Sequence, residues 1–214
     1  MNLTTTQLNA LRLDLQRLAN IEHDEVLDEL LDHYASLTEQ RMATDLSFEE
    51  ANKWAWAELG SGAGLQAVQD DYVLDIQRQV RNRHFDIMKS YLRWPTFITT
   101  ALIGVLVYLT VPLLPTDVIK VGFWFLALMP VAIMVWGYQK SLDHSSSGRI
   151  TFQYMGRRMS GLPLNVGTVF FIFDDPKSYL QTHATVLVLV CLLSLLYTVS
   201  FMQLFREKFT LKIA

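Results

Sequence analysis

Two apolar runs of membrane-spanning length, parted only by a tight polar corner, restrict what this chain can become more than any other feature. The first, WPTFITTALIGVLVYLTVPLL, runs from Trp94 to Leu114, and the second, VIKVGFWFLALMPVAIMVWGY, from Val118 to Tyr138, with Pro115, Thr116 and Asp117 between them. At about 1.5 Å rise per residue, a helix of such a run covers roughly 31 Å, close to a hydrocarbon core of about 30 Å. Neither run has the polar stripe of a helix packed on a globular core. The pattern predicts a transmembrane hairpin in an all-α chain.

Two further runs follow. Leu162 to Phe173 is short, but from Gly156 it reaches roughly 27 Å, with Arg157 and Arg158 snorkelling at its end. Ala184 to Leu204 is again of spanning length. Charge decides whether the short run crosses. With four spans, the segment before Trp94, the 139–161 loop and the tail lie on one side with five, four and three bases, against Lys120 and Lys177 opposite. That distribution obeys the positive-inside rule. The expected spans are about 94–114, 118–138, 156–173 and 184–204, with both termini cytoplasmic in a bacterial inner membrane. Trp94, Trp136 and Tyr138 then sit at the cytoplasmic interface, where aromatic belts form.

The rest of the chain has a different character. Residues 1–75 hold fifteen acids and four bases, a balance of −11, while residues 76–214 hold six acids and fourteen bases, a balance of +8. An acidic soluble head is repelled by nucleic-acid phosphates, so its expected partner is a protein with a basic surface. The single cysteine, Cys191, lies in an apolar run, which leaves no intrachain disulfide and no cysteine-based metal site. The first apolar run is too long for a cleavable secretory segment, so the first span is expected to be an uncleaved anchor.

Helical signals fill the head. Thr4 to Gln7 has the form of a capping box, and Leu8, Leu11, Leu15 and Leu18 follow at helical spacing, predicting a helix over Thr5 to Leu18. A second helix, His23 to Met42, carries Leu27, Leu30, Leu31, Tyr34 and Leu37 on one face, with Asp28, Glu29, Asp32 and His33 near or opposite it. Ser47 to Glu50 is another capping box, opening a helix that turns Ala51, Trp54, Ala55 and Leu59 inward and ends at Gly60. Gly60, Gly62 and Gly64 are expected to space it from a fourth helix beginning near Leu65. That helix runs on as a basic neck over residues 76–93, with Leu65, Val68, Tyr72, Ile76 and Val80 in register. Arg78, Arg81, Arg83, Lys89 and Arg93, with Trp94 and Trp136, are the expected contacts to anionic lipid headgroups. Ser145 to Gly148 reads as a flexible segment.

The runs Glu29-Leu-Leu-Asp-His33-Tyr34-Ala35, Ser47-Phe-Glu-Glu-Ala51 and Glu58-Leu-Gly60 resemble the HAAS-type helical signalling domain, a head that also prefixes some bacterial permeases. The resemblance covers about 65 residues and implies a bacterial inner-membrane protein with a PadR-like transcription regulator as a neighbour. The turn before Ser47, Thr44-Asp45-Leu46, lacks the glycine expected there.

No phosphate-binding Gly-x-x-x-x-Gly-Lys, His-Glu-x-x-His or Gly-x-Ser-x-Gly pattern occurs, and no ionisable residue lies centrally in a predicted span. Neither a catalytic residue, a metal site nor a cofactor is expected. Asn165 is the candidate intramembrane polar site, with an interhelical hydrogen bond as its plain role. Trp54 and Trp56 cannot both face the bundle, because two residues along a helix turn about 200°. The predicted partner surface is Asp28, Glu29, Asp32, His33, Trp54 and Trp56. The expected function is a signalling or regulatory adaptor, or accessory subunit, working by protein contact. The alternatives are a small transporter or lipid-handling module with a cavity near Asn165, and a structural subunit of a membrane homo-oligomer.

Overall fold

Local capping chemistry sets where the first helices begin. The computed structural model describes residues 3–110, 113–140, 145–161 and 176–209. Its helices are α1 (Thr5–Arg17), α2 (Asp24–Met42), α3 (Phe48–Glu58), α4 (Ser61–Ser90), α5 (Thr96–Thr110), α6 (Thr116–Lys140), α7 (Ser146–Tyr154) and α8 (Pro176–Lys208), and α7 continues into a π turn, Met155–Met159. The described residues contain no strand.

Both expected capping boxes form. The Gln7 N–H donates to Thr4 Oγ1 at 3.3 Å and the Thr4 N–H to Gln7 Oε1 at 2.9 Å. Ser47 and Glu50 repeat the exchange at 3.4 and 3.1 Å ahead of α3. Each pair satisfies two backbone donors that a bare helix start leaves open. In the turn without a glycine, Asp45 itself takes the left-handed conformation, at φ 65°, which an aspartate tolerates better than most residues.

Gly60 ends α3 at φ 81°, but the next two glycines are no spacer. They lie in the first turn of α4, which starts at Ser61 rather than near Leu65. A Cβ on Gly62 would stand 3.1 Å from Leu18 O, and one on Gly64 2.9 Å from Leu59 O. Their spacing lets the start of α4 pass close over two backbone segments.

The chain divides into two compact units, Met1–Gln77 with His144–Ile150, and Arg78–Asp143 with Thr151–Ala214. In the first, α2 packs on α1 and α3. Leu11, Leu15, Leu27, Tyr34, Ala55 and Leu65 fill its core, each contributing burial on the order of 1–3 kcal/mol for the larger side chains. Leu8, Leu18 and Val68, expected inward, are exposed at the margin of their helical stripes. Ser145 to Gly148, expected to be a flexible segment, instead opens α7 within this unit.

In the second unit α5 and α6 each pack on α8. Two stretches among the described residues are long and apolar enough to cross a membrane: Asp117–Gly137 and Val188–Lys208, each of 21 residues, with mean hydropathy 2.2 and 2.1. Of these two stretches, 18% and 44% is buried. The helix in the first apolar run is shorter than that run: α5 has 15 residues, roughly 22 Å. Most of the expected third span, residues 162–173, lies outside the described residues.

Candidate functional site

On α2 the helical period sends Val26, Leu27, Leu30, Tyr34 and Thr38 inward, and leaves Asp28, Glu29, Asp32 and His33 exposed. Asp28 is held by Arg12 at 2.8 Å, a solvent-exposed pair of the kind that contributes about 0–1 kcal/mol. Trp54 and Trp56 leave α3 in opposite directions, yet both are half-buried against the head core. The Arg41 guanidinium lies 3.6 Å above the Trp54 ring, and Trp56 meets Tyr34 at 6.1 Å. The three acids and His33 therefore present the more open surface, and the two tryptophans offer partial faces.

Beneath them runs a polar chain that sequence spacing did not reveal. The Tyr34 hydroxyl donates to Asn52 Oδ1, and Asn52 Nδ2 donates to Asp14 Oδ2 at 3.1 Å, tying α2 to α3 to α1. Burial, and then the negative charge of Asp14, push the Tyr34 pKa upward. The phenol stays protonated and remains a donor.

A second junction in the head joins α2 to α7. The Asp24 N–H donates to Ser146 Oγ at 3.0 Å, and the Ser146 N–H donates to Glu25 Oε1 at 3.0 Å. Each helix start thus supplies the cap of the other. Burial pushes Glu25 up, but hydrogen bonds from the Ser146 hydroxyl and from nearby backbone N–H groups together hold its carboxyl below the ordinary range.

The second unit contains a cleft of about 520 Å³. Its walls come from α4 (Arg81, His84, Phe85, Met88), the end of α7 and the π turn (Tyr154, Arg158, Met159), and α8 (Val190, Leu193, Ser194, Tyr197). His84 is its most constrained member. The ring is 3% exposed, meets Tyr197 edge-on at 4.8 Å, and has Nε2 2.8 Å from Ser200 Oγ. Because Ser200 directs its own proton to Tyr197 O at 2.9 Å, the imidazole Nε2–H is the donor to Ser200. Burial pushes the His84 pKa down to about 4, against a smaller upward pull from a backbone bond at Tyr197, so the ring is neutral at pH 7.

Tyr197 closes the far side by donating from its hydroxyl to Met159 O at 2.6 Å, which pins the π turn to α8. In a turn closed by i→i+5 bonds, residues four and five apart flank one face. The turn therefore brings Arg158 and Met159 to the cleft together with Tyr154.

Of the bases expected at lipid headgroups, Arg83 is occupied, reaching Glu207 at 2.9 and 3.2 Å while Gln203 also holds that carboxylate. Arg78, Arg81, Lys89 and Arg93 are exposed. Trp94 is 78% exposed, and Trp136 is about half exposed. Asn165 lies outside the described residues. His84 was legible in principle: Val80, His84 and Ile87 continue the buried stripe of α4, and an inward histidine there is the signal. Comparison with protein-family models, with curated proteins and with solved structures finds no match to this chain.

Proposed function

We propose that this chain is a non-enzymatic, multi-pass adaptor of a bacterial inner membrane, presenting an acidic helical head to a basic protein partner in the cytoplasm. The proposed topology has four spans with both termini cytoplasmic, in line with the bias of bases toward the neck, the 139–161 loop and the tail. The large exposed apolar side chains of α5 and α6, among them Phe97, Leu102, Leu109, Val121 and Phe125, support an apolar surrounding for these helices. The three residue runs that resemble a HAAS-type domain add a class of partner, a PadR-like regulator.

One observation carries the reading of the head. Asp28, Glu29, Asp32 and His33 are all exposed on one helix, on a head whose residues 1–75 have a balance of −11. A surface of that sign selects a basic partner and speeds its arrival.

A photocrosslinker placed at Ser36, exposed on the same helix, tests it in cells carrying the full chain. The reading expects a discrete protein adduct, lost in the triple variant Asp28→Asn, Glu29→Gln, Asp32→Asn and weakened by added salt. An adduct indifferent to the three substitutions, or none at all, would refute the surface assignment.

A further inference from the structure

The cleft between α4, the π turn and α8 is a feature that the adaptor reading leaves unused. Its volume of about 520 Å³ falls within the range of ligand sites. Its interior is apolar: Phe85, Met88, Met159, Val190 and Leu193 supply carbon surface. Of its titratable rings, His84 is neutral and already engaged by Ser200, and Tyr197 donates its hydroxyl proton to Met159 O. Its charges are two arginines, Arg81 and Arg158, both exposed. Among the described residues neither has a carboxylate within ion-pair distance, whereas Arg83, two residues after Arg81, is taken up by Glu207. Val190 and Leu193 belong to the Val188–Lys208 stretch, so the apolar wall is continuous with a surface long enough to cross a bilayer.

An occupant must match both properties. An apolar peptide would leave two guanidinium groups without anions, and a free phosphate would leave the carbon walls empty. A zwitterionic lipid brings a compensating cation to the arginines. We infer that the cleft holds an acyl chain of an anionic phospholipid, with the phosphate bound by Arg81 and Arg158. Arginine suits this role because its planar fork donates two hydrogen bonds to one phosphate. The π turn fits as well, since such turns recur at functional sites, and here Tyr197 fixes it in place.

The inference rests on the chain being embedded in a membrane, and is independent of what the head binds. Its test uses the full chain purified in a neutral detergent, with native mass spectrometry counting bound lipid during titration with phosphatidylglycerol, phosphatidylcholine or inorganic phosphate. The wild type should retain one phosphatidylglycerol in preference to phosphatidylcholine. The double variant Arg81→Gln, Arg158→Gln should weaken that binding by about thirtyfold, from about 1 kcal/mol for each basic group near an anionic headgroup. Leu193→Trp, which fills the cleft without touching a charge, should weaken it too. The control Arg157→Gln, Arg206→Gln removes equal charge from exposed positions outside the cleft and should change affinity less than threefold.

Equal losses in the control and the cleft variant would overturn the inference in favour of diffuse attraction to lipid. Equal retention of phosphatidylcholine, indifference to Leu193→Trp, or displacement of the lipid by millimolar inorganic phosphate would overturn it as well. A wild-type chain that stays monodisperse without detergent would sink the membrane reading itself, a different failure from a detergent-requiring chain that shows no lipid preference.

Discussion

Gly137 offers the sharpest test of how the second unit packs. It lies buried on α6, and a Cβ built there would stand 1.9 Å from Cζ and 2.6 Å from Cε1 of Phe205 on α8. Carbon atoms rest at about 3.5 Å or more, so Gly137→Ala forces the ring back by roughly 1.5 Å. The ring has little room to retreat. Phe205 is 1% exposed, its ring is 4.7 Å from that of Phe209, and Phe209 meets Phe152 at 6.0 Å. Overpacking of this kind costs about 1–3 kcal/mol, and the size of the clash argues for the upper end. Alanine recovers about 1 kcal/mol of helix propensity, leaving a net loss of about 2 kcal/mol.

Phe205→Leu removes the atoms that clash. In that background Gly137→Ala should be neutral or stabilising, which gives a coupling of about 2–3 kcal/mol between the two positions. Independent sites add to within about 0.5 kcal/mol. Unfolding of the four chains by sodium dodecyl sulfate in mixed micelles measures the cycle. A coupling inside that additive limit would refute the close approach of α6 to α8.

Two further outcomes follow from buried polar groups. His84 has a folded pKa of about 4 against an ordinary value of 6.5. A depressed value means that stability is complete above pH 6.5 and drains as pH falls toward 4. The loss is about 3 kcal/mol at 1.36 kcal/mol per pH unit. The same unfolding titration at pH 7.5 and 4.5 should show it in the wild type and a flattened profile in His84→Gln; matching profiles would remove His84 as the cause. Tyr34→Phe deprives Asn52 of its donor and should loosen the head by about 1–3 kcal/mol, read as faster hydrogen exchange in α2 and α3. Adding Asn52→Ala should cost little more, because both groups belong to one chain; full additivity would show that they act separately.

What the sequence disclosed was the local part of the fold. Thr4 with Gln7, Ser47 with Glu50, and Gly60 are signals whose donor, acceptor or left-handed turn lies within a few residues, and each does in space what its spacing implied. The inward stripe of α2 was equally readable, since Leu27, Leu30 and Tyr34 need only a helical period to align. Features set by distant chain were not readable. Gly62 and Gly64 look like a spacer until Leu18 O and Leu59 O approach them. Ser146 looks like part of a loose serine run until it caps Asp24 and is capped by Glu25, both more than a hundred residues away. The cleft escaped for the same reason. Arg81 was counted with the other bases of the neck, and nothing near it in the chain points to Arg158, Met159 or Tyr197.

The exchange between Ser146 and the start of α2 also bears on the order in which the protein can be made. The first unit is discontinuous: roughly 70 residues, α5 and α6 among them, are synthesised after Gln77 before its final segment appears. At 5–20 residues per second the ribosome needs on the order of 4–14 s for that stretch. For that interval the Asp24 N–H has no Ser146 hydroxyl to meet, and the nascent head waits with one helix start uncapped.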